Sequence, residues 1–248
     1  MIYYFSTTGN SLALARKLAA ALGDGICSVT RTREKTLEGP AVGLVFPVYY
    51  GDVPANVQDF VRSHAFPEGA YVYALATCGS TWGRTFRTLQ QLLGEKGCHL
   101  AWSRAVPLIA NSTICMKSHI GYDLKKLDKE EALVREGAEA VKKRKEDHSQ
   151  EQDSLLAGLF DTWLGRKIGN WYLAVQVAPD RCVRCGECVR LCPVENIHLG
   201  EKAAVMGNHC LLACLHGCPH QAITARGRVV LKEDQYRHPG VTVQELER

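Results

Sequence analysis

The sequence predicts an α/β protein with a doubly wound parallel sheet, followed by a small cysteine-rich domain. Strand and helix patterns alternate through the first 150 residues, which is typical of a parallel sheet covered by helices on both faces. Seven of the 11 cysteines crowd between Cys182 and Cys218. We therefore expect a sheet domain at 1–150, a helical linker at 151–175 and a metal-binding domain with a C-terminal tail at 176–248.

Five strand patterns and four helix patterns follow one another in the first domain. Apolar runs of this length are typical of buried strands, while Gly23 closes the first helix and Pro54 opens the second. The strands are "MIYYFS", "GICSVT", "AVGLVFPVYY", "YVYALATC" and "HLAWSRAVPLI". The helices are "SLALARKLAAALG", "PANVQDFVRSH", "GRTFRTLQQLLGEKG" and "EEALVREGAEAVKKRKE".

The linker carries apolar side chains along one face of a helix at 154–172. Its charges and glycines argue against a membrane span. Two interpretations stay open: a helix packed between the two domains, which we favour, and an amphipathic helix on a membrane surface.

Composition excludes several other classes of function. The net charge of +4 is mild and no basic tract stands free of acidic residues, so we expect no nucleic-acid partner. The N-terminus shows no secretory signal. Dense cysteines without export favour metal binding over disulfides, and we expect a cytoplasmic protein.

A polar loop lies between the first strand and the first helix. Free N–H groups and the positive end of a helix dipole favour an anion there, and hydroxyls add hydrogen bonds. No lysine follows as in a Walker loop, so a nucleoside triphosphate is not expected. A simple helix N-cap would explain the same residues. They are Ser6, Thr7, Thr8, Gly9, Asn10 and Ser11.

Three loops of this sequence resemble those that bind FMN in flavodoxins. "STTGNS" is similar to the loop for the FMN phosphate, and residues 46–54 and 76–83 resemble the loops on either side of the flavin ring. The resemblance implies FMN binding and a sheet of strand order 2-1-3-4-5. It also implies these ring-side residues: Pro47, Val48, Tyr49, Tyr50, Gly51, Thr77, Cys78, Gly79 and Trp82.

Some ring-side residues have a specific expected role. Tyr49, Tyr50 or Trp82 could stack on the flavin, although plain packing would explain each aromatic too. Gly51 tolerates a peptide flip that would present a carbonyl to flavin N5. A charge on Asp52 would repel the reduced, anionic flavin.

The first cysteine motif predicts an iron–sulfur cluster. Cys182, Cys185, Cys188 and Cys192-Pro193 form the Cys-x2-Cys-x2-Cys-x3-Cys-Pro run of bacterial ferredoxins. A zinc site would more often show two separated pairs. Two-cluster ferredoxins exchange their fourth ligands between motifs, so Cys218 is expected to complete a first [4Fe–4S] cluster.

The second motif departs from this pattern. Its remaining thiolates would be Cys192, Cys210 and Cys214, because Asn208 and Leu211 stand where cysteines are expected. Three alternatives stay open: a three-iron cluster, a four-iron cluster with a non-cysteine or solvent ligand, and complete loss of this cluster. We favour an occupied site. His209 and His216 lie nearby, and for both a role other than ligation is favoured.

The whole chain, including its tail, resembles the flavodoxin–ferredoxin fusions of anaerobes called ferrodoxins. The resemblance implies electron transfer between iron–sulfur cluster and FMN, connecting one-electron and two-electron redox partner proteins. Two alternatives stay open: an FMN-dependent reductase of a small organic substrate, and a redox sensor. The sequence assigns no catalytic residue and does not set the oligomeric state.

Overall fold

A computed structural model describes residues 1–117, 119–151, 163–201, 203–206 and 211–247. The chain divides into two compact units. Within the described residues, the first unit contains 1–6, 10–109 and 124–151, and the second contains 7–9, 110–123 and 163–247. The predicted domain limits stay a prediction, since this division follows contacts and not domain function.

A five-stranded parallel sheet forms the first unit. Its strands pair in the order β2-β1-β3-β4-β5, which confirms the predicted fold class. The strands are β1 Ile2–Tyr4, β2 Ile26–Ser28, β3 Ala41–Pro47, β4 Tyr71–Cys78 and β5 Leu100–Pro107. Every residue of β4 is buried, as expected of a parallel strand covered on both faces.

In the described part of this unit, four α-helices accompany the sheet: α1 Asn10–Leu22, α2 Ala55–Ser63, α3 Thr85–Gly94 and α4 Glu130–Lys142. Successive residues of a strand point to opposite faces. Ile2 belongs to the core cluster that contains Leu14 and Leu18 of α1, whereas the ring of Tyr3 lies 5.4 Å from that of Phe60 on α2. Helices therefore pack on both faces of the sheet.

Among its described residues, the second unit contains two small antiparallel sheets and three α-helices. One sheet has the order β10-β9-β6 and the other is the hairpin β7-β8. The strands are β6 Val175–Val177, β7 Ile197–Leu199, β8 Ala203–Val205, β9 Ile223–Ala225 and β10 Arg228–Val229. The helices are α5 Trp163–Tyr172, α6 Glu187–Leu191 and α7 Ala213–Gly217.

The predicted amphipathic helix is described only in part. Residues 163–172 are helical in α5, and 152–162 lie outside the described residues. Ile168, Trp171 and Tyr172 are exposed, and the Arg226 guanidinium lies 3.6 Å from the centre of the Trp171 ring. In the part of the chain that the structure describes, no helix is both long and apolar enough to cross a membrane.

Candidate cofactor sites

Four cysteines line one pocket of the second unit. They are the complete ligand set predicted for the first cluster: Cys182, Cys185, Cys188 and Cys218. The pocket encloses about 330 Å³ of empty space, part of it open to solvent. Leu199, Ala222 and Ile223 supply an apolar wall. The fold thus brings Cys218 of the second motif to three cysteines of the first.

A second pocket lies beside cysteines of the two motifs that do not line the first pocket. Cys192 and Cys214 line it, together with an otherwise mainly apolar wall that includes Leu211 and Leu212. It encloses about 260 Å³ of empty space. Cys210, the third predicted thiolate, and His209 lie outside the described residues, so the structure places two of three predicted ligands here.

The helices α6 and α7 occupy equivalent places in the two motifs. Each begins after a residue in the left-handed region, Gly186 at φ +76° and Leu212 at φ +62°, and each ends at a Cys-Pro pair. A Cβ on Gly217 would lie 2.1 Å from Cδ1 of Leu191, so the two helices pack closely. The same correspondence places Leu211 where the first motif has Cys185, so Leu211 replaces one thiolate.

Backbone groups donate in the same way to the sulfurs of Cys192 and Cys218. The N–H of Asn196 donates to Sγ of Cys192 at 3.1 Å, and the N–H of Ala222 donates to Sγ of Cys218 at 3.2 Å. Such bonds stabilise negative charge on sulfur and tune the potential of an attached cluster. The environment of Cys218 therefore suits an iron–sulfur ligand.

Burial and the neighbouring thiols of Cys218 and Cys185 raise the pKa of Cys188 to about 11. A thiol in this environment loses its proton only when a metal takes its place.

Among the described residues, no three His, Cys, Asp or Glu side chains converge closely enough to hold a single metal ion. A four-iron cluster needs no such convergence, because each thiolate binds a different iron. No described cysteine forms a disulfide.

His216 is buried, and both of its ring nitrogens have a partner. The N–H of Tyr236 donates to Nδ1 at 2.9 Å, and Nε2 lies 3.1 Å from the carbonyl oxygen of Asn111. Burial lowers the pKa of His216 to about 4, so the ring is neutral with its proton on Nε2. This arrangement leaves no ring nitrogen for iron.

The predicted flavin loops meet at the carboxyl edge of the sheet. The hydroxyls of Ser11 and Thr77 lie 2.9 Å apart, and the N–H of Val48 donates to the carbonyl of Thr77 at 2.8 Å. The side-chain amide of Asn10 donates to the carbonyl of Ile109 at 3.1 Å. In open α/β sheets this edge is where ligands bind.

Tyr50 and Gly51 form a tight turn, with φ of +55° and +73°. Tyr49 and Asp52 exchange backbone hydrogen bonds of 3.0 and 2.9 Å across it, the pattern of a type I′ turn. The Gly51 carbonyl accepts from the N–H of Arg84 at 2.7 Å, which joins the two ring-side loops.

The predicted ring-side aromatics have different surroundings. Tyr49 packs edge-on against Phe5, with ring centres 6.3 Å apart. The indole N–H of Trp82 donates to the carbonyl of Gln150 at 3.1 Å. Pro47 ends β3, and Tyr50 and Gly79 are half-buried beside the edge. Burial raises the pKa of Cys78 to about 11, so this thiol is protonated at neutral pH. Flavin stacking by any of these side chains stays a prediction.

The middle of the phosphate loop, Thr7–Gly9, belongs to the second unit, while Ser6, Asn10 and Ser11 belong to the first. Thr7 and Thr8 are buried. The side-chain amide of Asn111 donates to the hydroxyl of Thr8 at 3.2 Å, and the N–H of His238 donates to the carbonyl of Thr8 at 2.8 Å. Sequence reasoning missed both contacts, because no motif marks Asn111 and the resemblance of the tail gives its residues no chemical role.

Comparison with known proteins assigns the first cysteine motif. Residues 175–198 match the family described as the 4Fe-4S binding domain, which supports a [4Fe–4S] cluster in this chain. No curated protein matches the chain.

Solved structures of flavodoxins are similar to part of this chain. The Streptococcus pneumonia TIGR4 flavodoxin is 16% identical over 56% of this chain and 97% of its own, with a TM-score of 0.39. The Fusobacterium nucleatum flavodoxin bound to flavin mononucleotide is 15% identical over 58% and 97%, with a TM-score of 0.38. Two-electron reduced Megasphaera elsdenii flavodoxin is 20% identical over 54% and 97%, with a TM-score of 0.36.

All three TM-scores lie below 0.5, so the flavodoxin-like architecture rests on the strand order of this sheet. The chain joins a parallel sheet of strand order 2-1-3-4-5 to a segment that matches the 4Fe-4S binding domain family.

Proposed function

We propose that this protein transfers electrons between an iron–sulfur cluster and FMN, and so connects one-electron with two-electron redox partner proteins. The pocket lined by Cys182, Cys185, Cys188 and Cys218 carries the proposal. These cysteines would hold a [4Fe–4S] cluster, which moves one electron at a time. Bound FMN would accept two electrons and release them singly.

The residues at the sheet edge fit a flavin phosphate and ring. Buried hydroxyls of Thr7, Thr8 and Ser11 lie in or next to the loop that begins α1, where a phosphate would lie at the positive end of the helix dipole. The turn at Tyr50–Gly51 would lie beside the ring. Its positive φ at Gly51 is a conformation that glycine adopts without steric cost.

A second iron–sulfur site is part of the proposal. Cys192 and Cys214 line the second pocket, and we include Cys210 as a third ligand from the sequence. Because Leu211 replaces the counterpart of Cys185, this site would hold a cluster with fewer protein thiolates than the first.

Cofactor analysis of anaerobically purified protein tests the proposal. We expect one FMN per chain and at least four irons with matching sulfide, and stepwise reduction should bleach both flavin and cluster absorption. Protein that takes up iron and sulfide but never FMN, even when FMN is supplied, would contradict intramolecular transfer to a flavin.

The phosphate loop has a separate test. Thr8→Ala removes a hydroxyl that would bond the phosphate, so we expect it to weaken FMN about 10-fold or more and to leave riboflavin nearly unchanged. Flavin fluorescence titration measures both affinities. An equal loss for the two ligands would show that the phosphate lies elsewhere.

A further inference from the structure

The helix that carries Cys214 is connected to the phosphate loop through His216 and Asn111. Nε2 of His216, on α7, donates to the carbonyl of Asn111 at 3.1 Å. The side-chain amide of the same Asn111 donates to the hydroxyl of Thr8 at 3.2 Å. Two hydrogen bonds and one residue thus connect α7 with the loop.

The C-terminal tail makes a second connection between the same two places. The side-chain amide of Gln235 donates to the carbonyls of Leu215 and Cys218 at 3.1 and 2.9 Å. The next residue, Tyr236, donates its N–H to Nδ1 of His216. Two residues further, the N–H of His238 donates to the carbonyl of Thr8 at 2.8 Å.

The tail also lies directly against Gly9. A Cβ at this position would be 2.9 Å from Cβ of His238 and 3.1 Å from Cβ of Val241, and Gly9 has φ +100°. A larger residue would therefore strain the loop and push the tail away. Gly9 is needed for this contact as well as for the turn into α1.

The bond from Asn111 determines what the Thr8 hydroxyl can do. A hydroxyl has one hydrogen to donate and lone pairs to accept with. Because Thr8 accepts from the Asn111 amide, its own hydrogen is left to donate, which is what a phosphate oxygen needs. Thr8 is only 4% exposed, so losing this orientation would weaken phosphate binding.

We propose that Asn111 and the tail residues 235–241 position the phosphate loop from the iron–sulfur helix α7, so that affinity for the FMN phosphate depends on an iron–sulfur cluster bound beside α7. This inference rests on the proposed function. By linkage, a bound FMN would stabilise the cluster to the same extent. The coupled element is the path from Cys214 and Cys218 through His216 and the tail to Thr8.

Substitutions at Asn111 test the positioning role in the full-length, iron-loaded protein. Asn111→Ala removes the donor, and Asn111→Asp replaces it with a charged acceptor that takes the Thr8 hydrogen and repels phosphate. Both leave the Asn111 carbonyl for His216. We expect FMN binding to weaken about 10- to 100-fold, more for Asp than for Ala, and riboflavin binding to change less than about twofold.

Ser112→Asp is the matched control, since it places the same charge one residue along the same 3-10 turn, Asn111–Cys115. It should change the ratio of FMN to riboflavin affinity much less than Asn111→Asp does. Parallel losses of FMN and riboflavin at position 111, or equal effects of the two Asp variants, would overturn the positioning role.

Iron removal tests the coupling. Wild-type protein is stripped with a chelator under anaerobic conditions and titrated with FMN and riboflavin beside the iron-loaded form. We expect stripping to weaken FMN about fivefold or more and riboflavin less, and this difference to shrink in Asn111→Ala. An equal FMN affinity in the stripped and iron-loaded forms would overturn the coupling. Wild-type protein that binds no FMN in either state would instead refute the proposed function.

Discussion

At the scale of single residues, His216 shows how a plausible ligand is excluded by its contacts. It lies between Cys214 and Cys218 in the sequence, and proximity alone would favour iron binding. Its Nδ1 accepts from Tyr236 and its Nε2 donates to Asn111. A neutral imidazole has one donor and one acceptor nitrogen, so both are in use. The predicted preference for a role other than ligation agrees with this geometry.

We expect His216→Leu to keep its iron and lose stability. The substitution leaves the carbonyl of Asn111 and the N–H of Tyr236 buried without their partner, at about 1–3 kcal/mol each. The free energy of unfolding should fall by about 2 kcal/mol or more, with iron per folded chain unchanged. His198→Leu, on an exposed position of β7, is the control. Iron loss from folded His216→Leu protein would indicate ligation.

At the scale of elements, two turns are built around a contact that only glycine permits. A Cβ on Gly83 would lie 2.1 Å from the carbonyl oxygen of Gly51. That carbonyl also accepts the N–H of Arg84, so it cannot move aside without losing a hydrogen bond. The two ring-side loops are therefore held to each other by backbone, and glycine at position 83 is a packing requirement.

Gly83→Ala should unfold more easily than a matched glycine variant. Gly83 and Gly69 have φ of +58° and +66°, but nothing lies within 4 Å of a Cβ on Gly69. Both Ala variants take up backbone strain of about 1 kcal/mol, and Gly83→Ala adds the clash, for a total of about 3 kcal/mol or more. Urea unfolding measures the free energy of unfolding of both variants. Similar losses of stability in the two variants would mean that the loops separate easily.

At the scale of the whole chain, each of two pockets brings together cysteines from both motifs. Cys218 lines the pocket of the first motif and Cys192 lines the other. Residues that are neighbours in the sequence, Cys214 and Cys218, thus belong to different pockets. Residues far apart, Cys185 and Cys218, belong to the same one.

The effect of a serine substitution should depend on which pocket the cysteine lines and not on its place in the sequence. We expect Cys218→Ser and Cys185→Ser to damage the same EPR signal, that of the first cluster, because each removes one of its four thiolates. Cys214→Ser should spare that signal and affect only the second site, as Cys192→Ser should. If Cys218→Ser behaves like Cys214→Ser, the exchange of ligands does not occur.

The sequence by itself determined the parallel α/β sheet and the first cysteine motif. Both depend on short-range patterns: apolar runs such as residues 71–78 mark strands wherever they pack, and the spacing of Cys182 to Cys192 is a local property of one loop. The sequence also indicated the anion loop at residues 6–11, since a polar turn before a helix needs no partner to be recognised.

Only the tertiary structure decided how Asn111, His216 and the tail meet at Thr8. Asn111 is 103 positions from Thr8 and 105 from His216. The connections are single hydrogen bonds of three kinds: side chain to side chain, side chain to backbone, and backbone to backbone. Hydrogen bonds of this kind follow no repeating sequence pattern, and no particular residue type predicts them. They depend on which polar groups the packed chain leaves within about 3 Å of each other, which is fixed only when the whole unit has folded.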